Sequence, residues 1–147
     1  MFFYTLYCRP CPDALKAEGI DAEVFQAGDP DMENVKAAAA KLKDSDALVV
    51  GSPVYWASPS GQIIEFMDRL ASVAGKDMLY KPAAAVASAR RAGTTATLDV
   101  LTKYFSYHQM PVVSSCYWNM VHGNTPEEVM KDERSEERRV GKECRSR

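Results

Sequence analysis

Asp46-Ala-Leu-Val-Val-Gly-Ser-Pro-Val-Tyr-Trp-Ala-Ser-Pro-Ser-Gly-Gln62 is the stretch on which the fold turns. Ala47-Leu48-Val49-Val50 is a short, unbroken apolar run, the pattern of a strand buried on both faces. It stops at Gly51-Ser52-Pro53. Ser58-Pro59 then reads as a helix cap followed by proline in the first turn. Behind it, Ile63, Phe66, Met67, Leu70 and Ala74 recur as one apolar stripe at helical spacing, with Gly75 as the expected end.

The same strand–helix unit recurs on both sides. Upstream, Ile20 to Gln26 alternates enough for a strand. Asp29-Pro30 has the form of an N-cap and first-turn proline. Met32, Val35, Ala39 and Leu42 give the helix an apolar face. Downstream, Ala83 to Ala87 is a second buried strand. Gly93 opens a helix whose Leu98, Leu101 and Phe105 face inward. Met110 to Val113 is the next strand. Thr125-Pro126-Glu127-Glu128 is a capping box with proline inside it. At the start, the aromatic run Phe2 to Tyr7 is compatible with a strand. Cys8-Arg9-Pro10-Cys11 and a short helical stretch, Asp13 to Glu18, follow it, with Gly19 as C-cap. Strict alternation of strand and helix predicts an α/β fold with parallel strands, right-handed crossovers and helices on both faces. Ligands of such sheets bind beyond the carboxyl ends of the strands. The loops Gly51–Ser60, Ser88–Thr95 and Ser114–Asn124 are therefore the ones to inspect.

The chain has 147 residues, which suggests one domain, and 46% hydrophobic content, enough for a real core. No run of about 18 apolar residues is present, so no membrane span is expected. The start Met1-Phe2-Phe3-Tyr4 lacks the features of a signal peptide, and a cytoplasmic location is expected. Cys8, Cys11, Cys116 and Cys144 are then expected as thiols. Net charge is −2. The last fourteen residues, Arg134 to Arg147, hold six basic and three acidic residues, which leaves the body with 12 basic and 17 acidic, a net of −5. An acidic body argues against nucleic acid as a partner. The tail has one apolar residue, Val140, and no periodicity. It resembles the translation of a sequencing-adapter oligonucleotide, so residues 1–133 are expected to form the single domain and residues 134–147 a non-native, disordered tail.

Three loops carry candidate chemistry. In Gly51–Ser60, Tyr55 and Trp56 follow a proline directly after a buried strand, where both cannot be ordinary core. They suit a wall for a flat, partly apolar ligand. They equally suit a cap on the sheet end or a subunit interface. In Ser88-Ala-Arg-Arg-Ala-Gly-Thr-Thr95, Gly93 permits a tight helix start, Thr94 or a neighbour can cap it, and free N–H groups with Arg90 and Arg91 favour an anion or an electron-rich edge. One structural arginine paired with a carboxylate is the plainer alternative. In Ser115–Gly123, His122 has no second histidine or cysteine at metal-ligand spacing, so no metal site is expected. Cys116 reads as a small packing residue. No nucleophile–base–acid set can be drawn, and no catalytic residue is assigned.

Together, Asp46–Gln62 with Phe66-Met-Asp-Arg69, Lys81-Pro82 through Thr95, and Met110-Pro-Val-Val through Gly123 resemble the flavodoxin-like NAD(P)H-dependent FMN reductases over roughly residues 20–130. The resemblance implies a three-layer flavodoxin-like sheet of order 2-1-3-4-5 and a bound FMN, with NAD(P)H as co-substrate. It implies that Ser52, Pro53, Val54, Tyr55 and Trp56 hold the isoalloxazine. Ser88, Arg90, Arg91 and Gly93 would lie on its other side or near a neighbouring subunit. Hydride from the nicotinamide would pass through the flavin to a small-molecule or protein acceptor, and intact relatives are expected as homodimers or tetramers.

The chain departs from the family pattern in three places. The glycine- and Ser/Thr-rich loop that cradles the FMN phosphate is replaced by Tyr7-Cys-Arg-Pro-Cys-Pro12, where Pro10 and Pro12 supply no N–H. Only Ala27-Gly28-Asp29 bridges the second strand and its helix, where many relatives carry a cysteine-rich stretch. The last helix is cut short after Glu133. The expectation is therefore impaired FMN binding, with an abnormal first strand and last helix. Two alternatives stand beside it. One is a thiol–disulfide oxidoreductase using Cys8-x-x-Cys11, and the other is an inactive fragment.

Overall fold

The structure, a computed structural model, describes residues 2–5, 15–28, 30–114, 118–125, 127–128 and 131; of residues 2–5 it describes the course of the strand alone. The Cys8-x-x-Cys11 motif, Asp29, Cys116, Pro126 and the tail from Arg134 lie outside the described residues.

Strand β1 (Phe2–Thr5) lies between β2 (Glu23–Phe25) and β3 (Leu48–Tyr55); β5 (Ala83–Ala89) and β6 (Met120–His122) extend the sheet beyond β3. All four pairings on this path are parallel. The two-residue β4 (Ser58–Pro59) is added antiparallel to β3. With β4 set aside, the order is the expected 2-1-3-4-5. Helix α1 (Met32–Lys43) connects β2 to β3, α2 (Gly61–Met78) follows β4, and α3 (Thr94–Tyr107) follows β5.

The core follows from side-chain alternation on the strands. Leu48 and Val50 of β3 sit opposite Ala83 and Ala85 of β5, and this face meets all three helices. Val35, Ala38 and Leu42 of α1 pack there, with Phe66, Met67 and Leu70 of α2 and Leu98, Leu101 and Phe105 of α3. The opposite face carries Val49 and Ala22, with Leu15, Ala84 and Val86 beside them. A buried Phe or Leu contributes about 1.5–3 kcal/mol, so the helix face holds most of the described stabilisation. The alanine strand β5 lets α3 pack closely upon it.

Four local expectations are corrected. The α1 cap is Asp31, not Asp29; its side chain accepts the Asn34 N–H at 2.7 Å. Ser58-Pro59 is not the start of α2: the chain first runs back beside β3, and Ser60 caps the helix by accepting from Ile63 N–H. Gly75 does not end α2. The helix bends at Ala74 (φ −118°, ψ 18°) and continues to Met78. Met110–Val113 forms only a bridge, Val112 to Ala83, and the last ladder strand is β6, inside the segment read as loop. The C-cap expected at Gly19 is present, whereas the strand read over Ile20–Gln26 is confined to Glu23–Phe25 and that read over Ala83–Ala87 runs on to Ala89. Gly19 is left-handed (φ 76°), and Ile20 N–H closes back on Leu15 O at 2.9 Å, a helix-ending motif. Lys81 Nζ donates to Leu42 O and Lys43 O, carbonyls of the last turn of α1.

Candidate functional site: the rim at the carboxyl ends of the strands

The order in which strands are added reverses between β1 and β3: β2 lies on one side, the remaining strands on the other. A sheet of this order opens its ligand crevice at that switch point. The rim there is built from three described segments: the end of β3 with its hairpin, the β5–α3 connection, and the end of β6.

The hairpin is tight. Tyr55 pairs with Ser58, so Trp56 and Ala57 are its only loop residues. Both are left-handed, with φ 52° and 57°. Two positive φ values define the hairpin turn that normally takes Asn-Gly. A non-glycine residue there costs about 1–2 kcal/mol, and such strain concentrates at functional positions. Trp56 is 101% exposed and Tyr55 52% exposed, whereas Pro53 and Val54 are half-buried. The rings are thus neither core nor a lid over the sheet end. They stand as a free aromatic edge.

Ser52 is buried, and its hydroxyl is used within the protein. It donates to Pro53 O at 2.8 Å and accepts Ser60 N–H at 3.0 Å. This bond latches the base of the hairpin to the start of α2. Ser88 lies in register between Pro53 and Val121, half-buried at the rim. Gly93 is left-handed (φ 102°), and a Cβ on it would lie 2.8 Å from Ala57 Cα. The β5–α3 loop therefore abuts the hairpin. Helix α3 has no side-chain cap; Thr94 is buried with its hydroxyl on Met120 Sδ at 3.0 Å, which ties α3 to β6.

Arg90 and Arg91 are exposed. The Glu128 carboxyl is held below its ordinary value, first by the Asn124 backbone N–H, then by the Asn124 side chain, with a smaller contribution from the Arg90 charge. Glu128 N–H donates to Thr125 Oγ1 at 3.3 Å, while the Glu128 carboxylate reaches Asn124 N–H at 2.6 Å. The capping box is thus present, shifted by one residue on its return bond. His122 is half-buried on β6 beside Ala89.

The structure therefore brings Pro53, Val54, Tyr55, Trp56, Ser88 and Gly93 to one rim, with Arg90 and Arg91 on the loop between the last two. Ala57 and Met120 carry no signal in the sequence, since neither is a turn or ligand residue. Nor did it point to the groove between α2 and α3. There, about 15 Å down α3 from Thr94 by helix rise, Tyr104 donates to Asp68 at 2.5 Å, near Lys103, Tyr107 and His108. Burial, and then Asp68, push the Tyr104 hydroxyl well above its ordinary value. No cluster of potential metal ligands occurs among the described residues. Among them, too, no helix is long and apolar enough to cross a membrane.

The rim fits a flavin on its ring side. It offers the half-buried Pro53 and Val54 and the exposed rings of Tyr55 and Trp56 along one edge.

Residues 9–125 match the family described as NADPH-dependent FMN reductases. An iron–sulfur flavoprotein of Methanocaldococcus jannaschii is 28% identical over 130 residues, spanning 74% of this chain and 67% of that protein. Among solved structures, the flavoenzyme FerB, an NAD(P)H:(acceptor) oxidoreductase of Paracoccus denitrificans, superposes with a TM-score of 0.73 at 18% identity, covering 95% of this chain and 90% of that one. A flavodoxin, a WrbA-like protein of Agrobacterium tumefaciens, gives 0.66 at 18% identity, covering 98% and 95%. At such identities the structural likeness is one of fold.

Proposed function

The chain belongs to the NADPH-dependent FMN reductase family, and on that premise we propose that its rim seats the isoalloxazine of FMN against Pro53–Trp56, with NADH or NADPH as hydride donor and a small molecule or protein as acceptor. The observation that carries this reading is the strained Trp56–Ala57 turn at the switch point. Strain of about 1–2 kcal/mol per residue is retained where it shapes a surface.

When bound, the flavin supplies hydride and electron transfer. The protein's residues orient and shield. Pro53 and Val54 give a rigid apolar floor beneath the ring. Tyr55 and Trp56 add an aromatic edge that excludes water from one side. Ser88, between Pro53 and Val121, offers a hydroxyl to the polar edge of the ring. Arg90 and Arg91 put positive charge where an electron-rich edge or an anionic donor arrives. Ser52 acts indirectly, through the latch to Ser60.

The grip on the FMN phosphate is the weak point. Each charge-assisted bond is worth about 1.5–3 kcal/mol, and about 1.4 kcal/mol is tenfold in affinity. Replacing donors by Pro10 and Pro12 thus weakens FMN by orders of magnitude, and the chain is impaired relative to intact relatives. Titration of the purified chain with FMN, followed by flavin fluorescence, tests both parts. Saturable binding weaker than about 1 μM is expected. A submicromolar Kd refutes the lost phosphate grip, and no saturation at millimolar FMN refutes the flavin reading. The thiol–disulfide alternative rests on Cys8 and Cys11, and no observation among the described residues favours it.

A further inference from the structure

We propose that Gly93 is a positioning residue, whose missing side chain lets the β5–α3 loop press on Val54 and Ala57 and so hold the Trp56–Ala57 turn in its left-handed form. The inference rests on the reading of the rim as a flavin seat, and it assigns the feature that gives the seat its shape.

A Cβ on Gly93 would lie 2.8 Å from both Ala57 Cα and Val54 Cγ1, and 3.2 Å from Ala57 Cβ. Ordinary contacts of such an atom begin at 3.4 Å. Rotation of the Val54 side chain relieves one contact, but the Ala57 Cα is backbone and cannot turn away. Any side chain at 93 therefore moves the hairpin or the loop by more than half an ångström.

The loop is the firmer of the two. Gly93 O accepts Thr97 N–H at 3.1 Å, and Thr94, the next residue, is buried with its hydroxyl on Met120 Sδ. Gly93 is thus fixed to α3 and, through Thr94, to β6. The hydrogen bonds that hold the hairpin, among the described residues, lie at its base, where Ser52 accepts from Ser60 and Val54 and Tyr55 pair with Pro59 and Ser58. Two consecutive left-handed non-glycine residues are each strained, and the surrounding structure has to offset that strain. Gly93 is the element that bears on Ala57 from outside the hairpin. A misplacement of about 1 Å costs on the order of 100-fold in a positioned site, so the contact sets how well the aromatic edge meets the ring.

The test is amide hydrogen exchange across Val54–Ser60 in the flavin-free full chain, wild type against Gly93→Ala, with the FMN dissociation constant measured on the same proteins. Gly93→Ala is expected to speed exchange in the hairpin at least tenfold, leave Ala84–Ala87 of β5 unchanged, and weaken FMN at least tenfold. Hairpin exchange equal to wild type overturns the proposal. If Gly93→Ala does not fold, Thr94→Val, which frees the loop from Met120 Sδ without altering residue 93, takes its place, and faster hairpin exchange supports the proposal while exchange equal to wild type overturns it. If the wild type binds no flavin, the flavin reading falls, while hairpin exchange still decides what Gly93 does.

Discussion

The two ends of the sheet both hold non-glycine residues in the left-handed region, yet for different ends. At the base, Gln109 (φ 55°) follows α3. Its N–H bonds to Ser106 O at 3.2 Å, and Met110 N–H bonds to Phe105 O at 3.0 Å. Met110 is buried in the core. This is a complete helix-ending motif, in which hydrogen bonds and apolar burial offset the strain of one residue. At the rim, Trp56 and Ala57 are strained in succession, and the larger of them buries nothing within the chain. Strain at the base terminates a helix, whereas strain at the rim displays an aromatic surface. The first is offset by bonds and burial at the base; the second leaves at the rim an exposed aromatic surface that the proposed flavin would cover.

The comparison breaks first at the latch. Ser52→Ala leaves the buried Ser60 N–H without its acceptor, a loss of about 1–3 kcal/mol. Urea unfolding should show that loss together with weaker FMN binding. A variant as stable as wild type would mean that the hairpin is not held there. Next come the paired substitutions Ala57→Gly and Gln109→Gly. Each relieves left-handed strain, and each should stabilise the chain by about 1 kcal/mol in thermal unfolding. Only Ala57→Gly should weaken FMN, because only the rim turn shapes a site. Equal effects of the two on FMN would erase the distinction between the ends.

The smallest effect concerns the groove between α2 and α3. Burial and then Asp68 make the Tyr104 hydroxyl harder to ionise when folded. The stability this contributes is intact below the ordinary tyrosine pKa of about 10 and is lost as pH rises beyond it. Tyr104→Phe should cost less than about 1 kcal/mol at pH 7, since Asp68 is exposed. It should also flatten the fall in stability above pH 10, read by denaturant unfolding at stepped pH. FMN affinity should not change.

Much of the fold was legible because burial leaves a pattern. The run Leu48-Val49-Val50 and the stripes of α2 and α3 place the central strands and the helix-bearing face. Boundaries were less legible where two local solutions compete. Ser58-Pro59-Ser60 carries two possible caps, and only the return of the chain beside β3 selects Ser60. Asp29 and Asp31 present the same ambiguity before α1. The broken last strand escaped notice because the pairing of Val112 and of Met120–His122 with β5 is set by tertiary contact. At the site, the prolines, aromatics and Gly93 announced a loop of unusual shape. The left-handed Ala57 did not, since alanine has no preference for that region. Thr94 looked like a cap and instead binds Met120, a partner 26 residues away.

Trp56 and Trp118 are the two tryptophans of the chain, so Trp118→Phe leaves Trp56 as the sole indole reporter. Titrating that protein with FMN and with riboflavin, while following Trp56 emission, asks whether a flavin ring docks at the hairpin. Saturable quenching by both, at similar concentrations, is the expected result, because the proposed seat grips the ring rather than the phosphate. An emission that neither flavin quenches saturably would contradict the account.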